Sequence, residues 1–204
     1  MKRHLPMLAE RVLADVKALQ AQVGSAFEND LRQRDVEVSC HKGCSNCCHH
    51  PFLVTVAEGV LLYRWLAAHG RWTSAMKQRV EAARHKTLGL SFQVWLLSNI
   101  PCPLLEDRQC SAYAARPTHC RTTFSVGDPT LCHPHALDRA LGFVSNLKVI
   151  QEFTAEVQTS LKKLGAHGPL MPLAEALLLG EAIDTNRLPI EDSTTQHLRD
   201  LNRE

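Results

Sequence analysis

Long hydrophobic runs are missing from this 204-residue sequence: the apolar stretches at Val60-Leu61-Leu62 and at 176–179 are only a few residues long. A membrane-spanning helix needs about twenty. The start Met1-Lys2-Arg3 has no apolar core behind it, because Glu10, Arg11, Asp15 and Lys17 interrupt every stretch before it reaches export-signal length. Alternating apolar and polar runs of useful length are absent, and so are a Ser-His-Asp signature, a phosphate-binding loop and a helical His-Glu-x-x-His motif. No substrate is named by such a pattern, and whether the chain is an enzyme stays open. One-sided charge is lacking too, since 23 Lys and Arg against 21 Asp and Glu leave a net charge of +2. That balance gives no reason to expect a nucleic-acid partner. The expectation is a soluble, cytoplasmic protein, without a membrane partner, in a compartment that keeps thiols reduced.

Cysteine is absent from residues 1–39 and 133–204, yet eight cysteines fall between Cys40 and Cys132. A chain of this length can bury a core without disulfide staples, so stapling is a poor default. Adjacent Cys47 and Cys48 cannot comfortably pair, because disulfide geometry wants Cα atoms farther apart than neighbouring residues allow. The first group is Cys40-x3-Cys44-x2-Cys47-Cys48 and the second Cys102-x7-Cys110-x9-Cys120-x11-Cys132. Short gaps let one loop deliver several sulfurs to one metal, and a tetrahedral zinc site or a cubane iron-sulfur cluster each takes four thiolates. The inventory suits one centre with spares or two complete centres, and all eight cysteines are candidate ligands. Between Cys40 and His135, ten Lys and Arg stand against five Asp and Glu, a local +5 that complements bound thiolates or is simply a solvated surface.

The surrounding pattern is helical. Leu5, Leu8, Val12, Val16, Leu19, Val23, Phe27 and Leu31 mark one face of a helix leading into the cysteines. Thr55-Val56-Ala57-Glu58 fits a capping box that starts a helix ending near His69, with Gly70 as its stop. A further helix spans about 73–86 and stops at Gly89, and residues 91–99 read as a short helix buried against these. Prolines 101, 103, 117, 129 and 134 exclude long regular elements from residues 100–134. From Leu137 the period returns for about 28 residues, with a bend expected at Gly142 and an end at Gly165 and Gly168-Pro169. Residues 172–179 suit a last short helix. The reading is an all-α fold: a single helical domain over 1–182 around an irregular, cysteine-rich metal-binding loop core at 40–132, with 183–204 a flexible polar tail.

Cys40-x3-Cys44-x2-Cys47 also matches the spacing of radical SAM enzymes, but a long helix precedes Cys40, few strands are evident, and Asn46 stands where that family has an aromatic. A different combination is distinctive. Cys40-His-Lys-Gly-Cys44-Ser-Asn-Cys47-Cys48, followed by Cys102-Pro-Leu-Leu-Glu-Asp-Arg-Gln-Cys110-Ser-Ala-Tyr113-Ala-Ala-Arg116-Pro117-Thr-His-Cys120-Arg121, resembles the YkgJ-type CxxxCxxCC family of zinc- or iron-chelating proteins. The match runs over roughly residues 40–132. Related clusters occur in flagellin lysine N-methylases, where the cluster is thought to be an iron-sulfur centre. Thr122-Thr123-Phe124 replaces the tyrosine-proline ending sometimes seen after the last Cys-Arg. The resemblance implies a metal or iron-sulfur site and delivers no reaction.

Around the cysteines, Arg116 and Arg121 are candidates to hydrogen-bond thiolate or sulfide and offset cluster charge; for Arg116, capping the turn around Tyr113 is an equal alternative. Tyr113 suits shielding a cluster from water. His41, His49, His50, His119, His133 and His135 crowd the cysteines as nitrogen donors, with His49 and His50 the better placed. The leading expectation is an iron-sulfur protein, with a 4Fe-4S cluster, in electron transfer or as the redox component of an enzyme. Zinc in a structural module that binds a protein partner is the alternative, and a metal-dependent enzyme using zinc or mononuclear or multinuclear iron is the second.

Overall fold

A computed structural model describes residues 5–33, 35, 37–125, 128–133, 144–145, 147–162 and 170–185. Among these residues the elements are α1 (Leu5–Gln33), β1 (Leu53–Val54), α2 (Val56–Ala68), α3 (Ser74–Thr87), α4 (Phe92–Leu97), β2 (Leu105–Glu106), β3 (Gln109–Cys110), α5 (Thr118–Arg121), β4 (Thr123–Phe124), β5 (Val144–Ser145), α6 (Leu147–Lys162), β6 (Met171–Pro172) and α7 (Leu173–Asp184). The fold is mainly helical, and its strands form three two-residue antiparallel ladders, β1 with β6, β2 with β3 and β4 with β5. No described helix is long and apolar enough to cross a membrane.

The helices pack in the order α6, α1, α2, α7, α3. On α1 the apolar stripe points inward, with Leu13, Val16 and Phe27 buried, and α6 answers with Phe153 and Val157. Both α2 and α7 are apolar nearly all round, as the central members of a bundle must be. Their axes approach at two glycines: a Cβ on Gly59 would lie 2.2 Å from the carbonyl oxygen of Ala176, and one on Gly180 2.6 Å from the backbone of Gly59. Ion pairs fasten the edges. Arg64 of α2 holds Glu10 of α1 at 2.6 Å and also Asp184 of α7, while Lys77 of α3 meets Glu181 of α7 at 2.8 Å.

The capping box at the start of α2 is present, with Thr55 accepting from the Glu58 amide and the Glu58 side chain accepting from the Thr55 amide. Gly70 and Gly89 take the left-handed conformation at φ +64° and +71°. Three expectations need correction. Helix α4 is capped by Ser91 but has no buried residue, and Phe92, Val94 and Leu97 are 55, 50 and 62% exposed. Of the helix expected from Leu137, the described residues hold Leu147–Lys162, while Val144–Ser145 is extended and paired with Thr123–Phe124. Helix α7 does not stop at 179 but runs to Asp184, since Gly180 serves the close approach to Gly59 and not a turn. Gly142, Gly165, Gly168-Pro169 and the tail from residue 186 onward lie outside the described residues.

Candidate metal centre

The first cysteine segment links α1 to α2. Gly43, at φ +102°, lets the chain reverse so that the Cys44 amide reaches the His41 carbonyl at 3.0 Å. Residues Asn46–His49 then wind into a 3₁₀ turn that carries Cys47 and Cys48. The second segment is fastened directly onto the first, where the Cys102 amide donates to the Cys48 carbonyl at 2.7 Å.

Cys110 is delivered by the hairpin β2–β3, in register Leu105↔Cys110. Its two turn residues, Asp107 and Arg108, both have positive φ, at 47° and 60°. Such a turn favours Asn-Gly, and a side chain there costs about 1–2 kcal/mol. Arg108→Gly is therefore expected to raise stability by about 1 kcal/mol in urea unfolding at fixed metal concentration, and a loss would contradict this turn geometry.

Cys120 rides on α5, whose first residue is buried. Pro117 supplies no side-chain cap; instead the Thr118 amide donates to Glu58 Oε1 at 2.8 Å. Glu58 is 3% exposed and also accepts from the Thr55 amide and hydroxyl and from Gln20 Nε2. One carboxylate thus ties α1, α2 and the cysteine-bearing α5 together. This second role was invisible in the sequence, where Glu58 reads only as half of a capping box.

Cys132 is carried by a 3₁₀ turn, Pro129–Cys132, docked on the turn at 46–49. Asn46 Nδ2 donates to the Pro129 carbonyl at 2.7 Å and His50 Nε2 to the Cys132 carbonyl at 2.6 Å. Cys40 lies on the same side, its sulfur accepting from the Ser125 amide at 3.2 Å.

These supports open a cavity of about 60 Å³ lined by six cysteines: Cys44, Cys47, Cys48, Cys102, Cys110 and Cys120. Phe52, Leu104, Tyr113 and Leu173 wall it with apolar surface, and Arg116 is its one charged side chain among the described residues. A water needs roughly 10–15 Å³ of such space, so the cavity has room for a metal ion or a small cluster. Its donors are soft sulfurs, the set that selects zinc, iron-sulfur clusters or copper(I). Leu173, the first residue of α7, brings that helix against this space. The residues fit a metal held by thiolates. No three Cys, His, Asp or Glu side chains among the described residues stand close enough to hold a single metal ion.

Arg116 stacks over the Tyr113 ring at 3.6 Å and donates from Nε to the Tyr113 carbonyl at 3.1 Å. It also lies near enough to Cys47, Cys110 and Cys120 to favour their thiolates. The turn-capping alternative for Arg116 is thus present, and its charge lies beside these cysteines. Arg121 is committed to backbone carbonyls, donating from Nε to Arg116 at 2.6 Å and from Nη2 to Ala114 at 2.5 Å. It braces the Arg116-Pro117 loop and does not line the cavity.

The histidines separate. His41 is exposed and bonds the Lys42 carbonyl. His119 donates to the Leu53 carbonyl at 3.3 Å with its ring 4.7 Å from that of Phe52, and burial lowers its pKa. The His49 and His133 rings lie 5.3 Å apart on the Cys132 side, and His135 lies outside the described residues.

Residues 39–153, more than half of the chain, match the family model described as "CxxCxxCC: Putative zinc- or iron-chelating domain". The chain belongs to this family. The resemblance in the cysteine motifs is thereby borne out, and the domain is a metal-chelating one by that description. No curated protein and no solved structure matches the chain.

In this metal-chelating chain six of the thiols are poor acids. Burial is the main cause that pushes Cys102 up to about 12 and Cys132 up to about 11, and it raises Cys40, Cys110 and Cys120 as well. Cys47 is raised first by its hydrogen bond with Cys48 and then by burial. Thiols raised in this way keep their protons at neutral pH, so metal must displace them. Metal uptake is expected to release protons and to weaken as pH falls, by about tenfold per pH unit for each proton displaced. Calorimetry in two buffers of different ionisation enthalpy counts those protons; a count of zero would mean that the ligands are not these thiols.

Proposed function

We propose that the cysteine cavity holds an iron-sulfur cluster and that the chain moves electrons, as a carrier or as the redox component of an enzyme. The observation that carries this reading is the convergence of six cysteines from two distant segments on one apolar-walled cavity with Arg116 beside it. The number of thiolates suits a cluster: a cubane takes four, and six cysteines line this cavity.

When bound, the cluster would supply one-electron chemistry. The chain's own residues would do the rest: thiolates of the cavity hold it, Phe52, Leu104 and Leu173 keep water away, and Arg116 offsets its negative charge. A 4Fe-4S cluster is the form that four such thiolates suit. The second reading, zinc in a module that binds a protein partner, is favoured by one feature: the exposed Phe92, Val94 and Leu97 of α4 offer apolar surface.

Protein purified without oxygen separates the two. Iron with acid-labile sulfide and a visible charge-transfer band that bleaches on reduction is the expected result. Colourless protein with stoichiometric zinc and no redox response would replace the cluster with the zinc module.

A further inference from the structure

We propose that α4 is the face on which a small, acidic one-electron carrier protein docks to exchange electrons with the cysteine cavity beneath it. This rests on the reading of that cavity as an iron-sulfur site, and it names the partner that the site would serve.

Helix α4 has two sides with different surroundings. Val94 and Leu97, three residues apart, share the outer face and are 50 and 62% exposed, and Phe92 at the helix start is 55% exposed. Trp95 lies on the other side of the helix and lines an apolar cavity of about 40 Å³ together with Cys102 and Cys120. The same two cysteines line the larger cysteine cavity. One side chain of α4 therefore leads from the exposed face to two candidate ligands.

Charge around the patch has one sign. Ala83 and Thr87 of α3 line the small cavity with Trp95, which sets the last turn of α3, with Arg84, His85 and Lys86, beside α4. Arg84 and Lys86 form no ion pair among the described residues. Residues 82–105 contain no Asp or Glu, and the next acid, Glu106, is held by Arg79. An apolar patch edged by unpaired cations complements a partner with an acidic rim, and such charges steer the encounter.

Size decides what kind of partner fits. A helix of six residues is about 9 Å long, so the contact it offers is small. Permanent complexes bury about 2,000 Å² or more, whereas electron-transfer encounters bury less than about 1,200 Å². A carrier that leaves after each transfer suits the smaller contact. A lipid surface is a poorer match, because six residues bury too little apolar area to hold a helix in the interface. In each encounter one electron leaves the reduced carrier and enters the oxidised cluster; the carrier is oxidised, the cluster is reduced, and no bond forms or breaks.

The test takes cluster-loaded protein kept without oxygen and uses plant-type ferredoxin as the acidic carrier. Calorimetry measures binding of the oxidised ferredoxin, and stopped flow follows bleaching of the cluster by the reduced form. Saturable binding that weakens by about tenfold or more between about 0.05 and about 0.5 M salt is expected. Val94→Glu with Leu97→Glu, and separately Arg84→Glu with Lys86→Glu, should each weaken binding and slow bleaching by ferredoxin by about tenfold or more. Dithionite needs no docking face, so it should bleach both variants at the wild-type rate, which also shows them folded and loaded. Ferredoxin binding that neither variant changes, or wild-type protein that dithionite bleaches but ferredoxin neither binds nor reduces, would overturn the docking face. Sedimentation with phosphatidylserine vesicles, or dimerisation, that depends on Val94 and Leu97 without ferredoxin binding would overturn it too, in favour of a lipid surface or a second copy. Wild-type protein that carries no cluster would instead overturn the proposed function itself.

Discussion

Chelating the metal from protein kept free of oxygen is expected to lower its unfolding midpoint by at least about 10 °C. The helices alone do not explain how the cysteine segments are held. Between α1 and α2, and again between α4 and β4, the described residues form only short 3₁₀ turns, the four-residue α5 and two-residue ladders. Such segments bury little continuous apolar surface to offset the entropy of ordering them. Structural metal in a thiolate site contributes on the order of 10 kcal/mol in small domains, and in a chain of this size each kcal/mol moves the midpoint by about 2–4 °C. Even a fraction of that contribution gives the stated shift. Scanning calorimetry before and after chelation measures it, and an unchanged midpoint would mean that the cysteine loops are held by packing alone.

Replacing Glu58 by alanine is expected to cost about 3–5 kcal/mol. This carboxylate accepts from two buried amides, Thr55 and Thr118, from the Thr55 hydroxyl and from Gln20. Hydrogen bonds to a charged group contribute roughly 1.5–3 kcal/mol each, and a buried donor left without an acceptor adds its own desolvation penalty. These contributions are not additive, so the total lies below their sum. Loss of an ordinary exposed helix cap costs about 1 kcal/mol. Urea unfolding at fixed metal concentration distinguishes the two: a loss near 1 kcal/mol would show that Glu58 caps α2 and nothing more. Because α5 carries Cys120, the variant is also expected to hold its metal less tightly than wild type.

Much of the fold was legible because its signals are local. The threonine and glutamate of the capping box lie three residues apart, Gly70 and Gly89 end helices through their own backbone angles, and the apolar stripe of α1 recurs every three or four residues. The errors fall where a distant partner decides. Six residues of α4 are too few for periodicity to tell an inward face from an outward one, and Phe92, Val94 and Leu97 turn out. Val144–Ser145 could continue a helical pattern but is claimed by Thr123–Phe124. The last helix runs past residue 179 because Gly180 packs against Gly59, a contact with a residue far away in the sequence.

At the candidate site the motifs identified the donors and the local charge but not their arrangement. Leu173 walls the cavity from α7, more than fifty residues after Cys120. Ser125, which meets both Cys40 and Cys132, has no motif of its own. The bridging reach of Glu58 to Thr118 spans sixty residues and follows no spacing rule.

X-ray absorption at the metal edge, on protein purified and kept without oxygen, addresses metal-thiolate binding most directly. A metal bound in stoichiometric amount with a sulfur shell at about 2.3 Å is the expected result, with a second shell of iron if the centre is a cluster. Protein that carries no metal, or a metal surrounded only by nitrogen and oxygen, would contradict it.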